Sequence, residues 1–153
     1  MKKQCKRKMW STDINPIAHA IAGARIVDED SLNKLRMSEL AAIDAMTKGL
    51  GTVQDWKTLA DMMNIAETMG LNGIGPEILP SCEQMATEMI AAAERYEKTR
   101  KMGLSGAGIQ AVRDVYEYHD LQRTSIARST YEQMIEKTWR AITNKTGRVV
   151  ELT

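Results

Sequence analysis

The chain has 153 residues, 43% of them apolar and 27% charged, which is the size and balance of one folded domain able to bury a core without metals or disulfides. That composition excludes a wholly disordered chain, and no run approaches the ~18 apolar residues that a membrane span needs. Net charge is +1, but Lys2, Lys3, Lys6, Arg7 and Lys8 supply five positive charges, so residues 9–153 carry +1 less 5, a net −4.

Eleven Met, abundant Ala and Leu and no Phe favour helix over strand, because unbranched side chains lose little rotamer freedom in a helix. The fold class expected is all-α: a bundle of five to six helices with a disordered basic N-terminal arm. Residues 1–12 form the arm, 13–147 a single helical domain and 148–153 a short tail. Within the arm, Lys2, Lys3, Lys6, Arg7 and Lys8 are candidates for contact with nucleic acid or another anionic surface, the alternative being a solvated terminus.

Pro16 suits a first helical position and opens a short helix over IAHAIAGA, too short to be stable alone. Acids at 28–30 favour the start of the next helix, at 31–48, with Leu32, Leu35, Leu40, Ile43 and Met46 on one face. Gly49 and Gly51 stop it. Thr52 then caps a helix whose Trp56, Leu59, Ala60, Met62, Met63, Ala66 and Met69 cover half the circumference or more, the pattern of a central element. Its outer face carries Gln54, Lys57, Asp61, Asn64 and Glu67, and two acids there argue against a recognition helix laid on phosphates.

After Gly70, Gly73 and Gly75, a long helix begins near Pro76, or at Ser81 if Pro80 delays it, with a stripe of Ile78, Cys82, Met85, Met89, Ala93 and Tyr96 flanked by Leu79, Ala86 and Ile90. A helix at 106–123 turns Ile109, Val112, Val115 and Tyr116 inward. A loop of about five residues follows, and Ser129 with Glu132 has capping-box spacing for a last helix with Tyr131, Met134, Ile135, Trp139 and Ile142 on one side. The segments 69–75 and 102–108 share the pattern MGLxGxG, each read as a helix-ending glycine and a flexible start for the next helix.

Cys5 and Cys82 form no CxxC pair or disulfide framework, and Cys82 in an apolar stripe reads as an inert packing residue. With no apolar leader after the basic start, a cytoplasmic location is expected. HExxH, GxSxG and GK[ST] motifs are absent from the sequence, so the expectation is a non-enzyme without cofactor or metal.

Two features could still hold a ligand. The glycine-rich start at 103–108 offers backbone N–H groups at a helix N-terminus, so Gly106, Gly108 and Arg113, with His119 and Arg123 further along the helix, are candidates for binding a small anion such as a nucleotide. His119 and Arg123 lie at an inward-facing helix end that either lines a pocket or subunit contact, or holds a hydrogen-bonded histidine beside a solvated arginine. Wide apolar faces and Met-rich surfaces suggest a homo-oligomer.

The KKQCKRK start, WSTDINPIAHAIAGA, GIGPE at 73–77 and VYEYHDLQR at 115–123 together resemble small proteins encoded by bacteriophages and prophages of proteobacteria, along nearly the whole chain. The resemblance implies no residue roles. It implies a context in which small accessory proteins bind a host protein, nucleic acid or nucleotide, and it makes engagement of a host factor, such as a defence component, the leading expectation. Nucleic-acid regulation through the arm and anionic-ligand binding at the glycine-rich helix starts are the alternatives.

Overall fold

The structure is a computed structural model and describes residues 29–144. It is all-α over that span: α1 is Glu29–Thr47, α2 Val53–Leu71, α3 Leu79–Thr99, α4 Gly106–Thr124 and α5 Arg128–Thr143, with one 3-10 turn at Pro76–Ile78 ahead of α3. The basic arm, the helix expected after Pro16 and the tail at 148–153 lie outside the described residues. No helix among those described is long and apolar enough to cross a membrane.

α2 is the hub, packing against α1, α3, α4 and α5, while α4 also packs on α1 and α3. Its wide apolar face dictates this, since Trp56, Leu59, Met62, Ala66 and Met69 are all buried along one broad stripe of the helix. The start is fixed locally. Asp55 N–H donates to Thr52 Oγ1 at 3.1 Å and Thr52 N–H donates to Asp55 Oδ2 at 2.7 Å, a reciprocal capping box.

The main core joins Met46, Leu59, Met62, Met85, Met89, Met102, Val112 and Val115. A smaller cluster of Met69, Tyr131 and Met134, with Leu35, Ile65, Ile74 and Ile126, seats α5. Each large side chain withdrawn from water in these clusters contributes about 1.5–3 kcal/mol. Met46, Met62, Met69, Met85, Met89, Met102 and Met134 are therefore occupied within one chain.

Four local expectations differ from the structure. On α1 it is Glu39 that is buried, while Leu40 is about half exposed. The inward spacing runs Leu32, Leu35, Glu39, Ile43 and Met46, and Leu40 falls off it. At α5 the N-cap is Ala127, without a side-chain cap, so the loop after α4 is only three residues. Ser129 lies inside the helix and Glu132 accepts instead from Arg128 Nε at 2.8 Å. Trp139, expected inward, is 58% exposed because α5 buries only a narrow stripe.

The fourth concerns the two MGLxGxG segments. In the first, α2 runs through Gly70 to Leu71, and Gly73 and Gly75 then adopt positive φ. In the second, α3 has already ended at Arg100, which itself takes the left-handed conformation at φ 58°. Gly103 acts by close approach: a Cβ there would stand 2.9 Å from Gly49 Cα. Gly51 N–H donates to Met102 O and Leu104 N–H to Met46 O, both at 3.0 Å, tying this segment to the α1–α2 loop.

Candidate functional site

Two polar regions stand out, one closed and one open. The closed region lies where α1 meets the end of α4. Arg123 is fully buried and donates through Nη1 and Nη2 to the two oxygens of Glu39, each at 2.9 Å. Its Nε donates to Asp120 Oδ1 at 2.9 Å, and Asp120 in turn accepts two bonds of 2.8 Å from Arg36. The result is an alternating chain, Arg36, Asp120, Arg123, Glu39, with no net charge. Burial opposes the charge on Arg123, yet hydrogen bonding and proximity to Glu39, then Asp120, hold its pKa above the ordinary value. Burial pushes Glu39 upward against the pull of Arg123, which binds both its oxygens as befits a carboxylate.

Beside this chain, Gln122 Nε2 donates to Ile74 O at 2.7 Å and to Ala66 O at 3.3 Å. Its amide oxygen therefore faces His119, whose Nδ1 lies 3.0 Å away and must carry the proton. Nε2 is buried without a hydrogen-bond partner. Desolvation, with only partial relief from Gln122, lowers the imidazole pKa to about 4, so the ring is neutral at pH 7. Gly75 at φ +59° allows this clamp, because a Cβ there would lie 3.1 Å from Gln122 Cγ. Geometry of this kind holds helices in register and leaves no room for a ligand.

The open region is a groove of about 650 Å³ floored by α2 and walled by α3 and α5. Trp56, Ala60 and Met63 meet Leu79, Ala86, Met89 and Ile90 across it, and Ala141 and Ile142 close one side. Trp56 is locked as part of the floor by its Nε1–H bond of 2.9 Å to Met89 O. The polar lining of the groove is Asn64, Glu67, Thr68, Glu83 and Thr138, with no Lys, Arg or His among the described residues. Thr138 Oγ1 lies 2.8 Å from both Met134 O and Thr68 Oγ1, so its one proton is committed within the protein. The thiol of Cys82 is buried against α2, and burial, then the charge of Glu67, push its pKa up to about 12. It is unfit as a nucleophile.

The sequence-derived candidates divide accordingly. Gly106, Gly108, Arg113, His119 and Arg123 are strung along α4, whose 19 residues span about 28 Å. Gly106 and Arg113 are exposed, while Gly108, His119 and Arg123 are buried. The glycine N–H at 108 is already taken by Ser105 Oγ at 3.0 Å, and that hydroxyl donates to Glu88 at 2.8 Å. These five residues are not brought to one anion site. The arginine expected to be solvated is instead the most enclosed charge among the described residues, and the His119 to Arg123 helix end serves as an internal contact. Lys2, Lys3, Lys6, Arg7 and Lys8 lie outside the described residues.

Sequence reasoning missed Glu39, Glu67 and Glu83. The signal for Glu39 was its place in the inward spacing of α1. For the groove it was the surplus width of two apolar faces, Ala60 and Met63 on α2 and Leu79, Ala86 and Ile90 flanking the α3 stripe. That surplus is the basis of the expected self-association, and within one chain it lines the groove. Among the described residues no group of three or more His, Cys, Asp or Glu is placed to hold a metal ion. No protein-family model matches the chain, and neither a curated protein nor a solved structure does.

Proposed function

We propose that this chain is a non-enzymatic accessory protein of the kind phages and prophages encode, acting in the host cytoplasm by engaging and sequestering a host protein, a defence component being the target class that fits. The groove between α3 and α5 is the single observation that carries this reading. Clefts of this volume, mostly apolar with a few convergent polar groups, are the usual form of a ligand site, and an apolar groove walled by helices is also the form that takes a partner's amphipathic helix. Here the apolar surface belongs to helices that also supply the buried core, and no described residue covers it. The buried polar groups nearby are already committed to one another.

The test pairs capture with a block. Host proteins retained by the full chain are identified, and capture is repeated with Ala86→Trp, which places an indole in the groove. Loss of the same retained protein with Ala86→Trp, and its persistence when Lys2, Lys3, Lys6, Arg7 and Lys8 are changed to Ala, is the expected result. Capture that survives Ala86→Trp but fails without the basic arm would transfer the function to the arm and favour nucleic acid, whose binding would also weaken steeply with salt.

A further inference from the structure

The chemistry of the groove narrows what can occupy it, and this step rests on the reading of the groove as the partner site. We propose that the occupant is a basic amphipathic helix of the partner protein, selected by Glu67 and Glu83. Three observations converge on it.

The first is charge. Glu67 and Glu83 line the groove, and among the described residues neither makes an ion pair and no cation shares the lining. An apolar segment laid over them strips water from both carboxylates, at a cost unless it brings donors of its own. A segment carrying Lys or Arg at its flanks supplies them, whereas an acidic segment adds repulsion.

The second is backbone chemistry. Every wall is an α-helix, with its main-chain groups satisfied internally, and there is no strand edge among the described residues. An extended peptide buried here would leave its N–H and C=O groups without partners, whereas a helix satisfies its own.

The third is size. From Trp56 to Leu71 the floor runs about 22 Å, four helical turns, which suits anchors at i, i+3 or i+4, and i+7. α3 and α5 both flank α2, with α5 meeting the rest of the bundle chiefly through α2, and no helix among the described residues occupies the space between them.

Two labelled synthetic peptides of about 17 residues test this by fluorescence anisotropy with the full chain. Both carry Leu at the anchor spacing and Ala between, one with Lys on the flanks and one with Glu. The Lys peptide is expected to bind at least about tenfold more tightly, with affinity falling as salt rises. The double change Glu67→Lys and Glu83→Lys should invert the preference. Glu67→Gln with Glu83→Gln, a milder pair at exposed positions, should level it. Ala86→Trp should abolish binding of both.

Equal binding of the two peptides, or a preference untouched by charge reversal, overturns the basic helix while Ala86→Trp still tells whether the groove is the site. Binding unaffected by Ala86→Trp overturns the groove reading as well. A dimeric mass in light scattering that reverts to monomer with Ala86→Trp would assign the groove to a second copy. Carbodiimide cross-links from Glu67 or Glu83 to Lys2, Lys3, Lys6, Lys8 or Lys145 within single chains would assign it to a terminus of the same chain. Either outcome overturns the proposal.

Discussion

The closed cluster between α1 and α4 and the open groove between α3 and α5 use the same residue types to opposite ends. In the cluster each of Glu39, Asp120, Arg123 and Arg36 is paired, and His119 is neutral, so the charges cancel inside the protein. In the groove two carboxylates stand over an apolar floor with no cation beside them among the described residues. A charge that is paired within the chain constrains the fold, and one left unpaired at an apolar opening selects what enters. The distinction is testable, because stability should respond to the first set and recognition to the second.

The largest effect expected is at Arg123. Arg123→Met leaves Glu39 buried without its partner and should cost about 3–5 kcal/mol in chemical denaturation, whereas the double change Glu39→Met with Arg123→Met should recover much of that loss. A single-site cost under about 1 kcal/mol would break the comparison at its stronger end.

Acid should act next, through His119. Its folded pKa of about 4 lies below the ordinary 6.5, so the unfolded chain takes up the proton first. Stability is then fully present above pH 6.5 and lost as pH falls towards 4, by about 3 kcal/mol at about 1.4 kcal/mol per pH unit. Asp120, with its pKa lowered, adds a loss at still lower pH, and Glu39, with its pKa raised, works in the opposite direction. The His119 contribution is therefore read as the difference between the native chain and His119→Gln, which should remove a slope of about one proton between pH 4 and 6.5.

At the groove floor, Trp56→Phe keeps an aromatic ring and removes the bond to Met89 O, leaving a buried carbonyl short of one donor, at a cost of about 1 kcal/mol by thermal denaturation. The smallest effect is expected at the rim. Glu67→Gln and Glu83→Gln should each change stability by no more than about 0.5 kcal/mol while weakening the basic peptide. A rim carboxylate worth as much to stability as Arg123 would erase the distinction between the two regions.

Much of the bundle was legible in the sequence because its signals are local. The Thr52 cap, the α3 stripe from Ile78 to Ala93 and the glycine stops depend on spacing within a turn or two. Glu39 and Arg123 were not legible as a pair, since they are 84 residues apart and each alone looks like an ordinary solvated charge. The two MGLxGxG segments show the same limit. They share a pattern, yet one provides the left-handed Gly75 against Gln122 and the other a close approach of Gly103 to Gly49. What each glycine is needed for is set by the neighbour across the fold.

By itself, then, the sequence determined the helical class, the central place of α2 and the burial of Cys82, because apolar periodicity and caps act over a few residues of the same helix. Only the tertiary structure decided which charges cancel and which remain open. The burial of Arg123, the neutrality of His119 and the exposure of Glu67 and Glu83 to an apolar groove all follow from how helices distant in sequence meet. Desolvation and pairing depend on what stands within a few ångströms in space, and no spacing along the chain encodes that directly.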